Sequence, residues 1–297
     1  MTSAFPVAYH DGELIPAAAA AIPAGALAMR YALSVFEGVR LYVPGGAAAT
    51  RPVAFRLDDH LARLRRSLHV MRMPCADLDR LPAIVDELVT RNEVHEDTYL
   101  RIAVSIVTPG TLGVTDVRTA TTATLTRMGR KKWLSERAAM RLRIGPWQRA
   151  GELVFPPQVK CIANYAGARL STLQARADGY DDAILLGSDG RLAEAPTANL
   201  FMVHGGVLRT PPLRDGALAG ITRATLLELA GALGVPHREE TLTRADAYDA
   251  EEAFLCGTGL EIAPIASFDG LAVGRPAPGP VTGRLIEAYF DLARRAR

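Results

Sequence analysis

Apolar positions recur along the chain in two patterns, and each predicts its own kind of element. Leu61, Leu64, Leu68 and Met71 fall on one helical stripe, and Asp58 or Asp59 stands where a cap belongs. The stretch 78–94 repeats that spacing through Leu81, Ile84, Val85, Leu88 and Val89. Runs rich in β-branched residues at 53–56, 99–107 and 120–126 predict strands, so the first third predicts a mixed α/β unit. Further on, 142–144, 183–186, 200–203, 207–209 and 252–255 also predict strands, with turns at Ser188-Asp189-Gly190 and His204-Gly205-Gly206. Helices are predicted at 166–177, from Gly220-Ile221-Thr222 to a left-handed cap at Gly234, and from Val281 to about Arg295. The basic run 127–133 breaks the periodicity and reads as an interdomain connection or as a solvated loop within one domain.

Composition narrows the class. Hydrophobic residues make up 49% of 297 positions and charged residues 22%, the profile of a globular enzyme or binding protein. With 34 basic residues against 32 acidic ones spread along the chain, no nucleic-acid partner is expected. Cys75, Cys161 and Cys256 are odd in number and far apart, which argues against a disulfide framework and against a metal site. The first residues carry no basic leader, and Pro23 and Gly25 interrupt the alanine-rich stretch 17–28. A cytoplasmic protein without a membrane segment is therefore expected.

Lysine is scarce, and its placement matters. Lys131 and Lys132 are adjacent in the basic run, whereas Lys160 stands alone in Val159-Lys160-Cys161-Ile162. An amine among apolar neighbours is a candidate for Schiff-base chemistry; a snorkelling lysine on a half-buried strand is the bland alternative.

The segment 31–42, which contains Phe36-Glu37-Gly38-Val39-Arg40, resembles the N-terminal signature of the branched-chain amino acid aminotransferases, fold type IV (class IV) pyridoxal phosphate enzymes. Further pieces resemble the same family in the same order: Asp59-His60-Leu61-Ala62-Arg63-Leu64, Tyr99-Leu100-Arg101, Lys160 with Asn164-Tyr165, 194–201, 218–223, Cys256-Gly257-Thr258 and Pro280-Val281-Thr282. The resemblance implies an α+β two-domain fold like that of D-amino acid aminotransferase. It implies a smaller N-terminal α/β domain at 1–128, a linker at 129–137 and a larger cofactor-binding domain at 138–297. It also implies a homodimer or higher homo-oligomer, with amino acids and 2-oxo acids as small-molecule partners.

Pyridoxal 5′-phosphate needs an amine, a carboxylate at its ring nitrogen, and donors for its phosphate. By resemblance Lys160 is the amine and catalytic base, Glu194 the carboxylate, and Arg63 a phosphate ligand. Gly220, Ile221 and Thr222, with Gly257 and Thr258, offer backbone N–H groups and hydroxyls to the phosphate, and Tyr165 reaches the cofactor phenolate or lines the substrate pocket, with a core tyrosine as the bland alternative. Taken from spacing alone, Glu194 competes with Asp181, Asp182 and Asp189, Arg63 reads as a solvated helix residue, and the glycine pairs read as turns. For substrate, Tyr31, Phe36 and Trp133 suggest an apolar wall, though an aromatic cluster is more often plain core. Tyr99 and Arg101 share a strand face. The resemblance gives Tyr99, with N–H groups near Thr258 and Gly259, the α-carboxylate, gives Arg101 the distal carboxylate of glutamate, and makes Arg40 a further cation near the pocket mouth.

Some positions depart from the family pattern. Ala198 replaces an acid, Pro196 a glycine, Ala219 a proline and Trp133 a tyrosine, and Gly259 is smaller than the customary residue. These departures bear on substrate range more than on cofactor chemistry. The leading expectation is a branched-chain L-amino acid transaminase of biosynthesis, working with 2-oxoglutarate by a ping-pong mechanism. The alternatives are another fold type IV aminotransferase, for D-amino acids, (R)-amines or a specialised substrate, an aminodeoxychorismate lyase, or a non-catalytic scaffold.

Overall fold

A computed structural model describes residues 3–45, 51–129, 131–136 and 138–295. The chain groups into two compact units, Met1–Gly129 with Val159–Ala163 and Ala293–Arg297, and Arg130–Gln158 with Asn164–Leu292. Within the stretch 138–297, Val159–Ala163 and Ala293–Arg297 group with the first unit. The strip that carries Lys160 belongs with the first unit, because its backbone pairs with a strand there. Residues 130 and 137 of the expected linker lie outside the described residues.

In the first unit, β1 (Val7–His10) and β2 (Glu13–Pro16) form a hairpin, followed by α1 (Leu27–Tyr31), β3 (Ser34–Tyr42), β4 (Val53–Ala54), α2 (Leu57–Val70), α3 (Leu81–Arg91), β5 (Thr98–Ile106) and β6 (Thr119–Arg127). The strands make one antiparallel sheet in the order β2-β1-β6-β5-β3-β4. Along the first part of β5 burial alternates, with Leu100 and Ile102 inside and Tyr99, Arg101 and Ala103 half-buried on the other face. Helix α2 buries His60, Leu64, Ser67 and Leu68 at helical spacing. It begins earlier than the expected cap: Arg56 takes the cap position with φ 54°, and Asp58 and Asp59 sit in the first turn, where the helix dipole favours acids. The second predicted helix is split. Leu78–Arg80 is a 3₁₀ turn, and α3 starts beside Pro82, whose missing N–H is tolerated in a first turn. The strand predicted at 53–56 shrinks to the two residues of β4.

The second unit contains α4 (Lys132–Ser135), β7 (Met140–Gln148), α5 (Tyr165–Ala177), β8 (Asp182–Leu186), β9 (Leu192–Ala195), β10 (Ala198–His204), β11 (Val207–Thr210), α6 (Ile221–Ala232), β12 (His237–Glu239), α7 (Arg244–Tyr248), β13 (Glu252–Gly257), β14 (Glu261–Phe268), β15 (Leu271–Ala272) and α8 (Pro280–Ala293). Strands run β12-β11-β10-β13-β14-β7-β8-β9, and β9 pairs back onto β10. The six strands β10, β13, β14, β7, β8 and β9 thus close into a barrel, with β11 and β12 branching from β10. Met140, Leu142, Ile144, Ile184, Leu192, Leu200, Leu255 and Ile265 belong to its core. The predicted cap at Gly234 has φ 67°.

Candidate active site

Within the first unit, backbone contacts fasten Lys160 on two sides. Phe36 N donates to the Lys160 carbonyl at 3.0 Å, Cys161 bridges Val35, and Lys160 N donates to Ser67 Oγ on α2 at 3.2 Å. Its amine Nζ lies 4.9 Å from the centre of the Phe36 ring. In the β3–β5 register Phe36 faces Ala103, Gly38 faces Arg101 and Arg40 faces Tyr99, so these side chains share one sheet face. The Arg101 guanidinium sits 4.0 Å over that same Phe36 ring. Gly38 is required by close approach, since a Cβ there would overlap the Tyr99 hydroxyl. The structure thus brings together Lys160, Phe36, Tyr99 and Arg101. Arg40, on the same face, is 1% exposed, and one of its guanidinium nitrogens donates to the Met128 carbonyl at 3.0 Å. Tyr31 lies at the last position of α1, with the Arg30 guanidinium 5.4 Å from its ring.

The opposite face of β3 carries Glu37, which is fully buried. Arg63 Nε and Nη2 donate to its two carboxylate oxygens, each at 2.7 Å, and His60 Nδ1 stands 2.8 Å from Oε2. Burial pushes the Glu37 carboxyl up, but the charge and hydrogen bonds of Arg63, with His60, outweigh it and hold the group at about 2. The carboxylate is ionised and only accepts, so His60 Nδ1 carries the proton. Burial pushes His60 below its ordinary value; the charges of Arg63 and Lys160 add to this and Glu37 opposes it. Arg63 is therefore no solvated helix residue. Its guanidinium is aimed by a buried carboxylate that the sequence reading quoted but gave no role.

Within the second unit, Glu194 stands on β9 directly opposite Asn199 of β10, across a tight turn at Pro196-Thr197. It is 4% exposed. Arg149 pairs with Oε1 at 2.9 Å, while Asn199 Nδ2 and the Leu218 amide donate to Oε2 at 2.9 and 3.0 Å. The competing acids are used locally: Asp181 accepts from the Arg141 amide, Asp182 from Thr172 and the Ala183 amide, and Asp189 from the Arg191 amide. Arg149 was missed by sequence reasoning, because nothing in Trp147-Gln148-Arg149 marks it as buried beside an acid.

Asn199 ties this carboxylate to the start of α6. Its amide donates to the Leu218 carbonyl at 2.9 Å, and a Cβ on Gly220 would overlap its oxygen. Gln158, also missed, donates to the Ala217 carbonyl at 2.5 Å and accepts from the Ala219 amide at 2.9 Å. Gly220 caps α6, and Ile221 and Thr222 open it, so their N–H groups lie at its positive end. A Cβ on Gly257 would come 3.1 Å from the Thr197 carbonyl, which sets the Gly257-Thr258-Gly259 turn against the Glu194 hairpin. Trp133 donates its indole N–H to the Leu260 carbonyl at 3.1 Å and so adjoins this turn. Tyr165 is the first residue of α5 and is half-buried. Burial pushes the Cys256 thiol up, and no cluster of metal-ligating side chains occurs among the described residues.

The family model Amino-transferase class IV matches residues 34–268. The branched-chain-amino-acid aminotransferase of Salmonella typhimurium is 34% identical over 291 residues, covering 96% of this chain and 92% of that protein. Among solved structures, the branched-chain aminotransferase of Thermoproteus uzoniensis with norvaline superposes with a TM-score of 0.90 at 33% identity, covering 98% of this chain and 96% of that one. That of Thermobaculum terrenum in its PLP form gives 0.91 at 32%, covering 98% and 95%. The chain belongs to the class IV aminotransferases and, within them, to the branched-chain amino acid aminotransferase family. Its fold is the fold type IV architecture of those enzymes. No helix among the described residues is long and apolar enough to cross a membrane.

Proposed function

We propose that this enzyme is a pyridoxal 5′-phosphate-dependent transaminase that moves the amino group of leucine, isoleucine or valine, as the L-enantiomers, to 2-oxoglutarate by a ping-pong mechanism. The observation that carries the reading is the sheet face beside Lys160, where one Phe36 ring has the amine at 4.9 Å and the Arg101 guanidinium at 4.0 Å. An amine beside an apolar ring and a reachable cation suits a pocket that takes an aliphatic side chain and a distal carboxylate in turn.

The donor set suits the cofactor. Lys160 offers a primary amine, Glu194 a buried carboxylate held by Arg149, Asn199 and the Leu218 amide, and Gly220-Ile221-Thr222 a helix start cleared by a glycine. Arg63, with the turn at Gly257-Thr258, supplies further donors for a phosphate. When bound, the cofactor supplies an electron sink for charge developing at the substrate α-carbon. Lys160 Nζ takes the α-proton and returns it. Glu194 would hold a proton at the cofactor's ring nitrogen, and Tyr165 would donate to its phenolate oxygen. Tyr99 and the N–H groups near Thr258 and Gly259 bind the α-carboxylate, Tyr31, Phe36 and Trp133 exclude water around the aliphatic side chain, and Arg101 receives the distal carboxylate. The reading includes assembly as a homodimer at least.

A panel of amino donors in both enantiomers, assayed with 2-oxoglutarate and pyridoxal 5′-phosphate, tests this. The expected result is turnover of L-leucine, L-isoleucine and L-valine, with lines of parallel slope in double-reciprocal plots. Preference for D-amino acids or (R)-amines, or no amino transfer at all, overturns it.

A further inference from the structure

We infer that Phe36 is a specificity-determining residue that holds Arg101 in place for acidic substrates, an inference that rests on the transaminase reading above. Three features of the first unit lead there. The guanidinium lies 4.0 Å over the ring, close enough for an arginine to stack on an aromatic face. On the β3 side the residue directly opposite Arg101 is Gly38, which has no side chain to lean on, and the next on that face is the like-charged Arg40; on the β6 side its partner is Thr124, a short side chain without an aromatic face. Among the described residues Arg101 has no carboxylate partner to orient it. An arginine side chain carries a large rotamer entropy, so a fixed stacking surface lowers the cost of presenting its fork to a substrate carboxylate. Phe36 therefore does two things: it offers apolar surface to an aliphatic side chain, and it positions the cation for glutamate and 2-oxoglutarate.

The same ring adjoins Lys160 Nζ at 4.9 Å, so a change at Phe36 can disturb the amine as well. That effect acts on every substrate alike, whereas loss of the arginine platform acts only on those with a distal carboxylate. The test is steady-state kinetics of the holoenzyme with L-leucine and L-glutamate as donors, for wild type, Phe36→Leu and Phe36→Tyr. Phe36→Leu keeps an apolar side chain but has no π-face. It is expected to lower the glutamate-to-leucine ratio of kcat/KM by about two- to thirtyfold, mainly through KM for glutamate. Phe36→Tyr is expected to restore the ratio. In an Arg101→Leu background, Phe36→Leu should no longer change the ratio, because the residue it supports is gone. Equal losses on both donors, failure of Phe36→Tyr to recover, or an undiminished ratio effect without Arg101 each overturns the inference. Wild-type enzyme that turns over neither donor sinks the transaminase reading instead.

Discussion

Arg63→Ala strips two charge-assisted hydrogen bonds from Glu37, a carboxylate with no exposed surface. Holding that carboxyl at about 2 instead of its ordinary 4.5 corresponds to about 3 kcal/mol, at about 1.4 kcal/mol per pH unit. The figure agrees with the ~3 to 5 kcal/mol typical when one partner of a buried pair is removed and the other charge stays behind. Because the folded carboxyl is depressed, its stabilisation is fully present above about pH 4.5 and is lost as pH falls through about 2. Urea denaturation of wild type and Arg63→Ala, both freed of cofactor so that phosphate binding does not contribute, is expected to show a gap of about 3 kcal/mol at pH 7. The gap should narrow by more than half by about pH 3. Adding Glu37→Gln to Arg63→Ala should recover part of the loss, since no charge is then left buried. A gap below ~1 kcal/mol at pH 7, or one indifferent to acid, would refute the reasoning and return Arg63 to an ordinary surface role.

Glu194→Gln should keep cofactor bound yet slow turnover by ~2 to 4 kcal/mol of transition-state stabilisation, as measured by kcat at saturating cofactor; wild-type kcat would mean that another group serves the ring nitrogen. Arg101→Leu should raise KM for glutamate and 2-oxoglutarate and leave leucine nearly unchanged, moving the ratio of specificity constants by about tenfold or more. Equal losses would assign Arg101 to the shared α-carboxylate. Gly38→Ala should displace the Tyr99 phenol and raise KM for every amino donor, because the added methyl overlaps the hydroxyl; unchanged kinetics would show that Tyr99 moves aside without cost.

Sequence made the amphipathic helices and the scarce lysine legible, because helical periodicity and rarity are properties of short windows. Lys160 stood out among three lysines, and the buried stripe of α3 was read residue for residue. The β1–β2 hairpin was missed although Asp11-Gly12 at its turn, with φ 48° and 104°, is a strong hairpin signal. Its strands are too short for alternation to register. Strand β14 was hidden by Pro264, a residue that ordinarily argues against a paired strand. Within the site, burial was the part that could not be read. Glu194 differs from Asp181, Asp182 and Asp189 because it lies opposite Asn199 and beside Arg149, and those partners come from other segments of the barrel. Glu37 and His60 were visible inside motifs, but their link to Arg63 exists only once α2 lies against β3. The bond from Arg40 to the Met128 carbonyl was not legible either, because a strand pattern does not say where a long side chain finds its acceptor.

The most direct test of the account is chemical trapping of the cofactor on the protein. Enzyme incubated with pyridoxal 5′-phosphate is reduced with borohydride, digested, and mapped by mass spectrometry for a phosphopyridoxyl group. The expected result is a single labelled peptide carrying the group on Lys160, and no label in the Lys160→Ala variant. Label on Lys131 or Lys132, or no label on wild type while amino transfer persists, would contradict the assignment of Lys160 as the reacting amine.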